Sequence, residues 1–231
     1  MDTQNLDKSL TILQSSKDRW AGLSVSDKIG YIYKTISLTA FHAEEWVMAA
    51  SEAKGLNPES PLSGEEWLGG PYAFLTWLQY MKNTLKLLEN GKSTIHRVKI
   101  TSRQDGQTVA QVYPNNLLEK LLLNHYCIDV WMREGVTPEN IEDTVAGFYK
   151  QDNPQGEVLL ILGAGNVSSI VPLDIFYKLY GEGKVVIIKM NPINDYLGPI
   201  FEKVFAPFIE NEFIQFAYGG GDVGAYLTHH E

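Results

Sequence analysis

Glu157-Val-Leu-Leu-Ile-Leu162 is a short apolar run that ends at the turn Gly163-Ala-Gly-Asn166. A helical pattern of apolar residues follows this turn and stops at Gly181 and Gly183. The same order then begins again with Lys184-Val-Val-Ile-Ile-Lys189, a second apolar run between two lysines. Short apolar strands that alternate with helices are typical of a parallel sheet that is covered on both faces.

A third strand is predicted at Phe213–Tyr218, and it is closed by three consecutive glycines. The sequence therefore predicts an α/β fold whose Rossmann-like parallel sheet is preceded by helices and a β-hairpin. Right-handed crossovers place the carboxyl ends of all parallel strands at one edge of the sheet, where such sheets bind ligands. We expect the ligand-facing residues to be Gly163–Asn166, Lys189–Pro192 and Tyr218–Gly221.

The chain changes character near residue 154, which is the predicted boundary between two regions. Residues 1–153 read as a helical region with a protruding hairpin over residues 94–113, which is built around an Asp-Gly turn. Residues 115–153 are predicted to form a helical insertion that includes a helix over Leu117–Met132. Residues 154–231 are predicted to be the parallel α/β region, and we expect this region to be incomplete at its C-terminal end.

The composition excludes several classes of function. The chain has 231 residues, a formal charge of −9 and 44% hydrophobic residues, which is enough for a substantial core. Proteins that bind nucleic acid normally carry a basic patch, and the basic residues here are scattered. The first residues lack the features of a signal peptide, and no run approaches the ~20 apolar residues of a membrane span. We expect a cytoplasmic protein that binds neither nucleic acid nor a membrane.

Cysteine and histidine usage argues against a metal site. Cys127 is the single cysteine, so a disulfide framework within the chain and a cysteine-based zinc site are excluded. It lies in a leucine-rich stretch, and we expect a core thiol rather than a nucleophile. Adjacent histidines such as His229 and His230 point in different directions on a helix, so no metal site is predicted. Five aromatic residues have helical spacing and are expected to pack in the core: Trp67, Tyr72, Phe74, Trp77 and Tyr80.

Each candidate ligand residue also has a structural explanation. The turn Gly163–Asn166 can bind an anion through backbone N–H groups, but two glycines also suit a tight turn. Ser168 stands where the last glycine of a Gly-x-Gly-x-x-Gly motif would be, so the usual Rossmann fingerprint is absent. Lys189 can donate to a ribose hydroxyl or a phosphate, or can be a solvated strand end. The glycines at 219–221 allow a nucleotide to approach the backbone, and similar runs occur in ordinary loops.

Taken together, these elements resemble the N-terminal, cofactor-binding half of the aldehyde dehydrogenase superfamily. The resemblance implies that the side chain of Asn166 stabilises the oxyanion of a thiohemiacetal. It implies that Lys189 contacts the adenosine ribose of NAD or NADP. The residues that correspond to the family's cofactor-binding elements are Gly163, Gly165, Lys189, Pro192, Gly219, Gly220, Gly221 and Gly224.

The sequence departs from the family pattern at several positions. The usual Pro-Trp-Asn turn is Ala164-Gly-Asn166 here, which is similar to the acyl-CoA reductase relatives of the family. Pro192 stands where NAD-selective members often carry a glutamate, so the choice between NAD and NADP stays open. The family's nucleophilic cysteine and general-base glutamate lie beyond the third strand and helix, and Cys127 precedes the cofactor strands and does not match that position.

We therefore expect the N-terminal part of an NAD(P)-dependent oxidoreductase that acts on an aldehyde and lacks its catalytic cysteine. This 231-residue chain is expected to be inactive alone. An enzyme like the acyl-CoA reductases, with an acyl thioester as substrate, remains an alternative. A non-catalytic module that binds a nucleotide or a partner protein is another. The resemblance also implies a homo-oligomer that forms through the 94–113 hairpin.

Overall fold

The structure is a computed structural model, and it describes residues 3–114, 117–122 and 125–230. Its contacts divide the chain into two compact units. The first comprises Met1–Lys86 together with Asp152–Glu231, and the second comprises Leu87–Gln151. The N-terminal helices thus belong to the same unit as the C-terminal third of the chain, whereas the sequence suggested a single division near residue 154.

The secondary structure alternates as the sequence predicts in its last third. Within the described residues the helices are α1 (Thr3–Ala21), α2 (Val25–Ala53), α3 (Gly64–Trp67), α4 (Ala73–Glu89), α5 (Leu117–Leu122), α6 (Ile141–Thr144), α7 (Ile170–Phe176), α8 (Gly198–Val204), α9 (Ala206–Ile209) and α10 (Gly221–Thr228). The strands are β1 (Lys99–Ser102), β2 (Thr108–Tyr113), β3 (Ile128–Trp131), β4 (Val158–Leu162), β5 (Val185–Lys189) and β6 (Ile214–Ala217). None of the described helices combines the length and the apolar composition that a membrane crossing needs.

The first unit contains a parallel sheet with the strand order β4-β5-β6. All five residues of the central strand β5 are buried, because helices cover both faces of the sheet and the other two strands flank it. The predicted α/β fold with a Rossmann-like parallel sheet, preceded by helices and a hairpin, is confirmed.

Trp20 joins the N-terminal helices to this sheet. Its side chain is completely buried, and its indole N–H donates a 3.0 Å hydrogen bond to the carbonyl oxygen of Leu179. The hydroxyl of Tyr180 donates in turn to the carbonyl oxygen of Lys28, at 2.9 Å. The rings of Trp20 and Tyr180 meet edge to face with centroids 5.4 Å apart. Removing a buried tryptophan of this kind typically costs about 3–5 kcal/mol, so Trp20 is central to the stability of the unit.

The chain between α2 and α4 bends at Gly70, whose φ of −116° and ψ of −113° are not helical. After this bend, Phe74 is fully buried, as the sequence predicts. The prediction is wrong for Trp67, which precedes the bend, and for Tyr72, which follows it by two residues; they are 42% and 60% exposed. The helical spacing of these aromatic residues is broken at Gly70, so they do not share one face.

The second unit contains an antiparallel sheet with the order β1-β2-β3. The predicted hairpin is confirmed as β1 and β2, but the predicted helix over Leu117–Met132 is wrong in its second half. There Ile128–Trp131 forms β3, in which Val130 pairs with Ala110 of β2. β-Branched residues on either side of Asp129 favour a strand once a partner strand is present. Cys127 lies just before β3 and is exposed, so the expected core thiol is also wrong.

Candidate functional site

The turns that follow β4, β5 and β6 lie side by side at the carboxyl edge of the parallel sheet. Leu162 is the partner of Lys189 in the register, and Lys189 is the partner of Ala217. Each of these residues ends its strand. The three segments predicted to face a ligand, residues 163–166, 189–192 and 218–221, therefore begin at neighbouring positions.

The turns that follow β4 and β5 are hydrogen-bonded to each other. The N–H of Gly163 donates to the carbonyl oxygen of Lys189 at 2.9 Å, and the amide of Asn194 donates to the carbonyl oxygen of Ala164 at 3.4 Å. A Cβ on Gly163 would lie 3.2 Å from that carbonyl oxygen of Lys189, and one on Gly165 would lie 3.1 Å from the side chain of Asn191. Both glycines thus permit two turns to pack closely. The N–H of Gly163 is occupied and is not a free anion donor.

Lys189 is buried at the end of the central strand, with only 7% of the residue exposed. Among the described residues, no hydrogen bond or ion pair satisfies its ammonium group. An ammonium group without a protein partner at this edge is available to a ligand that supplies oxygen atoms. Lys184, at the other end of the same strand, has partners of its own in Glu157 at 3.0 Å and Glu182 at 3.4 Å.

The third turn combines a glycine at positive φ with open space. Gly219 has a φ of +132°, and a Cβ there would lie 2.6 Å from the side chain of Val223. A Cβ on Gly221, the first residue of α10, would meet no atom within 4 Å. The N–H groups at the start of a helix favour anions, so this space suits a phosphate group. A Cβ on Gly220 would lie 3.1 Å from the carboxylate of Asp222 and within 4 Å of no other neighbouring atom.

Three other predicted site residues are less constrained by their surroundings. Asn166 and Pro192 are exposed at the edge of the sheet. Gly224 lies within α10, and a Cβ there would make an ordinary 3.9 Å contact with Leu162. Asn166 is followed directly by Val167 and Ser168, and both of these residues line a cavity of about 530 Å³.

Tyr218 and Gly198 form a contact at this edge that sequence reasoning missed. The hydroxyl of Tyr218 donates to Glu202 at 2.5 Å. Burial, together with this hydrogen bond to a carboxylate, raises the pKa of Tyr218 well above its usual range. A Cβ on Gly198 would lie 2.3 Å from the hydroxyl oxygen, so the ring rests directly on the start of α8. The sequence signal is the Gly198-Pro199 pair that opens this helix.

The side chains at this edge suit a phosphorylated ligand better than a metal ion. The ammonium of Lys189 and the N-terminus of α10 are donors for anionic oxygen atoms. Within the described ranges, no group of three or more histidine, cysteine or acidic side chains is placed to hold a metal ion. His230 instead lies 3.4 Å from Asp7.

A larger cavity, of about 1020 Å³, lies elsewhere in the first unit. Its lining comes from α1, α10 and β4 together with Ile187 of β5, and includes Leu10, Gln14, Val158 and Leu160. No residue of the three turns lines it. This cavity lies away from the turns that the sequence singled out.

Comparison with known proteins identifies the fold. No protein-family model and no curated protein sequence matches the chain. An aldehyde dehydrogenase from Bartonella henselae covers 99% of the chain with a TM-score of 0.57 and 14% identity. Staphylococcus aureus AldH in a substrate-bound state covers 99% with a TM-score of 0.55 and 11% identity. Proline utilization A with proline bound in remote sites covers all of the chain with a TM-score of 0.51 and 12% identity.

The chain corresponds to only part of each of these proteins. It spans 37% of the Bartonella enzyme, 38% of the Staphylococcus enzyme and 18% of proline utilization A. The part of this chain that is covered includes its helices, its antiparallel hairpin and its three-stranded parallel sheet. The protein therefore has the fold of the N-terminal portion of an aldehyde dehydrogenase.

Proposed function

We propose that this chain is the cofactor-binding part of an NAD(P)-dependent oxidoreductase of the aldehyde dehydrogenase superfamily. The observation that carries the proposal is Lys189, a buried lysine without a partner among the described residues, at the carboxyl end of the central strand. The fold supports the same assignment. When bound, the nicotinamide cofactor supplies hydride transfer, and the protein supplies binding and orientation.

The proposed roles follow from the chemistry of each group. Lys189 donates to a ribose hydroxyl or a phosphate of the cofactor, and the start of α10 faces a phosphate. Pro192 places no carboxylate at its position, so a 2′-phosphate on the ribose would meet no repulsion from that residue, and both NADP and NAD are candidates. The amide of Asn166 is an N–H donor for an oxyanion that develops on the substrate.

The chain does not place a cysteine at this edge. Cys127 lies in the second unit, next to β3. We therefore propose that the isolated chain binds the cofactor but does not oxidise aldehydes, and that the nucleophile comes from outside these residues. An absence of NAD(P)H formation from a panel of aldehydes is the expected result.

An enzyme that reduces acyl-CoA thioesters is the second candidate, and Gly165 favours it. A Cβ at this position would lie 3.1 Å from the amide group of Asn191, so a larger residue such as the tryptophan of the usual Pro-Trp-Asn turn would require that side chain to move. A non-catalytic module that binds a nucleotide is the third candidate. This module would use the same cofactor site as the two candidate enzymes. It would differ from them because no further segment supplies a catalytic nucleophile.

Calorimetric titration of the chain with NAD⁺ and with NADP⁺ tests the proposal. Lys189→Ala should weaken binding by about 1–3 kcal/mol, the range for a hydrogen bond that involves a charged group. Lys184→Ala is the matched control, because it removes a lysine from the opposite end of the same strand and should leave the affinity unchanged. Equal affinities of Lys189→Ala and the unmodified chain would overturn the assignment.

We further propose that the protein is a homo-oligomer that forms through the antiparallel sheet containing the hairpin. All four residues of β3 are exposed, and β3 is an edge strand among the described residues. Ile128 and Trp131 are 57% and 58% exposed. Edge strands with exposed apolar side chains recruit other strands, and a second copy is the partner of matching geometry.

A further inference from the structure

The strand β3 presents an open backbone edge in the second unit. The N–H of Met132, directly after β3, donates to the carbonyl oxygen of Thr108 on β2 at 2.9 Å, so the backbone of residue 132 points toward β2. Backbone direction alternates from residue to residue in an antiparallel ladder. Val130 therefore also points toward β2, and the N–H and C=O groups of Asp129 and Trp131 point outward. No strand among the described residues pairs with this outer edge.

The side chains along this edge carry opposite charges on one face. Alternate residues of a strand share a face, so Asp129, Trp131 and Arg133 lie on one side and Val130 and Met132 on the other. Asp129 and Arg133 are both exposed, and neither forms an ion pair with another described residue. The first face thus carries an unpaired carboxylate and an unpaired guanidinium, each two residues from the exposed tryptophan.

The ring of Trp131 is held in place by its own chain and is still open to a partner. The guanidinium carbon of Arg103 lies 3.8 Å from the centre of the ring, and Arg103 is itself 3.5 Å from the carboxylate of Asp105. This cation–π contact covers part of the indole. Trp131 nevertheless remains 58% exposed, so a large apolar surface is left for a second molecule.

The side chains distinguish the registers in which a second copy can pair with this edge. If Trp131 lies opposite its own counterpart, Asp129 of each copy lies opposite Arg133 of the other, and Val130 lies opposite Met132. A two-fold axis at Asp129 or at Arg133 would bring like charges together, which is unfavourable. An axis at Val130 or at Met132 would place Trp131 opposite a charged residue and would pair neither charge with its counter-ion. Charge complementarity therefore selects the register centred on Trp131.

We propose that two copies of this chain pair through β3 in an antiparallel register with Trp131 on the two-fold axis, and that reciprocal ion pairs between Asp129 and Arg133 set this register. The inference rests on the homo-oligomer proposed above and specifies its edge, its partner and its register. Pairing joins two three-stranded sheets and covers the open edge of both copies. The carbonyl oxygen of Arg133 accepts from the N–H of Val136 at 3.2 Å, so the chain turns there and the pairing ends.

Cysteine cross-linking tests the register. In a Cys127→Ser chain, Trp131→Cys places both thiols at the axis, where opposite Cα atoms are about 5.5 Å apart and a disulfide can form. Ile128→Cys is the matched control, because Ile128 is 57% exposed but its two copies would lie about 20 Å apart in this register. Oxidation with copper phenanthroline should cross-link Trp131→Cys at least about tenfold faster than Ile128→Cys. Equal rates, or a faster reaction of Ile128→Cys, would overturn the register.

Charge reversal tests the ion pairs. Asp129→Arg and Arg133→Asp each place like charges opposite each other twice, because the interface is symmetric, and each should weaken the dimer about tenfold or more in sedimentation equilibrium. A 1:1 mixture of the two variants pairs opposite charges again, and the dimer should reappear. Mixing does not repair a misfolded variant, so a mixture that stays monomeric would overturn the ion pairs.

The outcomes separate this inference from the proposals on which it rests. An unmodified chain that stays monomeric would overturn the homo-oligomer and the register together. A dimer that forms without the Trp131→Cys cross-link would overturn the register alone. The cofactor assignment is tested independently, since the three turns after β4, β5 and β6 lie in the first unit and β3 lies in the second.

Discussion

The backbone N–H of Gly163 donates a 2.9 Å hydrogen bond to the carbonyl oxygen of Lys189. The turn after β4 is thereby fixed to the last residue of β5, the residue whose buried side chain lacks a partner among the described residues. This bond holds the backbone of Lys189 and the turn that leads to Asn166 in one arrangement before any ligand binds.

Gly163→Ala tests this connection. The added Cβ would lie 3.1 Å from a methyl group of Val171 and 3.2 Å from the carbonyl oxygen of Lys189, so the two turns must separate. We expect a loss of about 1–3 kcal/mol in the free energy of unfolding, measured with urea. Gly221→Ala is the control, because a Cβ there meets no atom within 4 Å. A smaller loss at Gly163 than at Gly221 would contradict the packing described for this edge.

Gly198→Ala should act through Tyr218. The Cβ would lie 2.3 Å from the hydroxyl oxygen of Tyr218, so the ring must move and its hydrogen bond to Glu202 must break. We expect about 1 kcal/mol of destabilisation. In a double-mutant cycle, Gly198→Ala should cost little once Tyr218→Ala is present. Additive effects of the two substitutions in chemical denaturation would show that this contact is not the cause.

The parallel strands were predictable from local sequence, and the antiparallel third strand was not. Predicted bounds of 184–189 and 213–218 compare with Val185–Lys189 and Ile214–Ala217 in the structure. An apolar run closed by glycine is a strong signal within a few residues. The strand Ile128–Trp131 offers only four residues of alternation after a leucine-rich stretch, and its pairing with β2 comes from residues that are distant in sequence.

The candidate site shows the same limit. The position of Lys189 at a strand end follows from the sequence, but its burial depends on the elements packed around it. Ser168 was noted only as the missing glycine of a Rossmann fingerprint. Its unsatisfied hydroxyl arises because the bend at Gly70, about a hundred residues earlier, packs against it. Local sequence patterns carry no information on which distant segments pack against each other.

Lys28 should make stability depend on pH. Its ammonium group is buried, lies 5.3 Å from the centre of the Trp20 ring and donates to the carbonyl oxygen of Ala21 at 3.3 Å. Burial lowers the pKa of Lys28 from 10.5 to about 8. The folded state then releases a proton near pH 8 that the unfolded state keeps until pH 10.5, so stability rises with pH between these values.

Urea unfolding from neutral pH to about pH 9.5, below the titration of unfolded tyrosine, measures this dependence. Lys28→Met removes the titrating group, and we expect the rise in stability to disappear in this variant. A rise of the same size in Lys28→Met would assign the effect to another group.

The proposed oligomer makes a prediction about β3. Val130→Lys places a charge on an edge strand whose residues are all exposed, and lysine on an edge opposes strand pairing. Light scattering at micromolar concentration should report a dimer or larger assembly for the unmodified chain and a smaller species for the variant. Ser37→Lys, an equal change of charge at an exposed position of α2 outside this sheet, should leave the assembly intact. A monomeric unmodified chain would contradict the proposal outright.

The most direct test of the central claim is an NMR titration of the backbone amides with NADP⁺ and NAD⁺. If the three turns form one cofactor site, the amides of Asn166, Met190 and Gly221 should shift together with a single affinity. Residues of the cavity of about 1020 Å³, such as Leu10 and Leu160, should stay unchanged. Shifts at that cavity without shifts in the turns, or no shift in any of the three turns at saturating cofactor, would contradict the account.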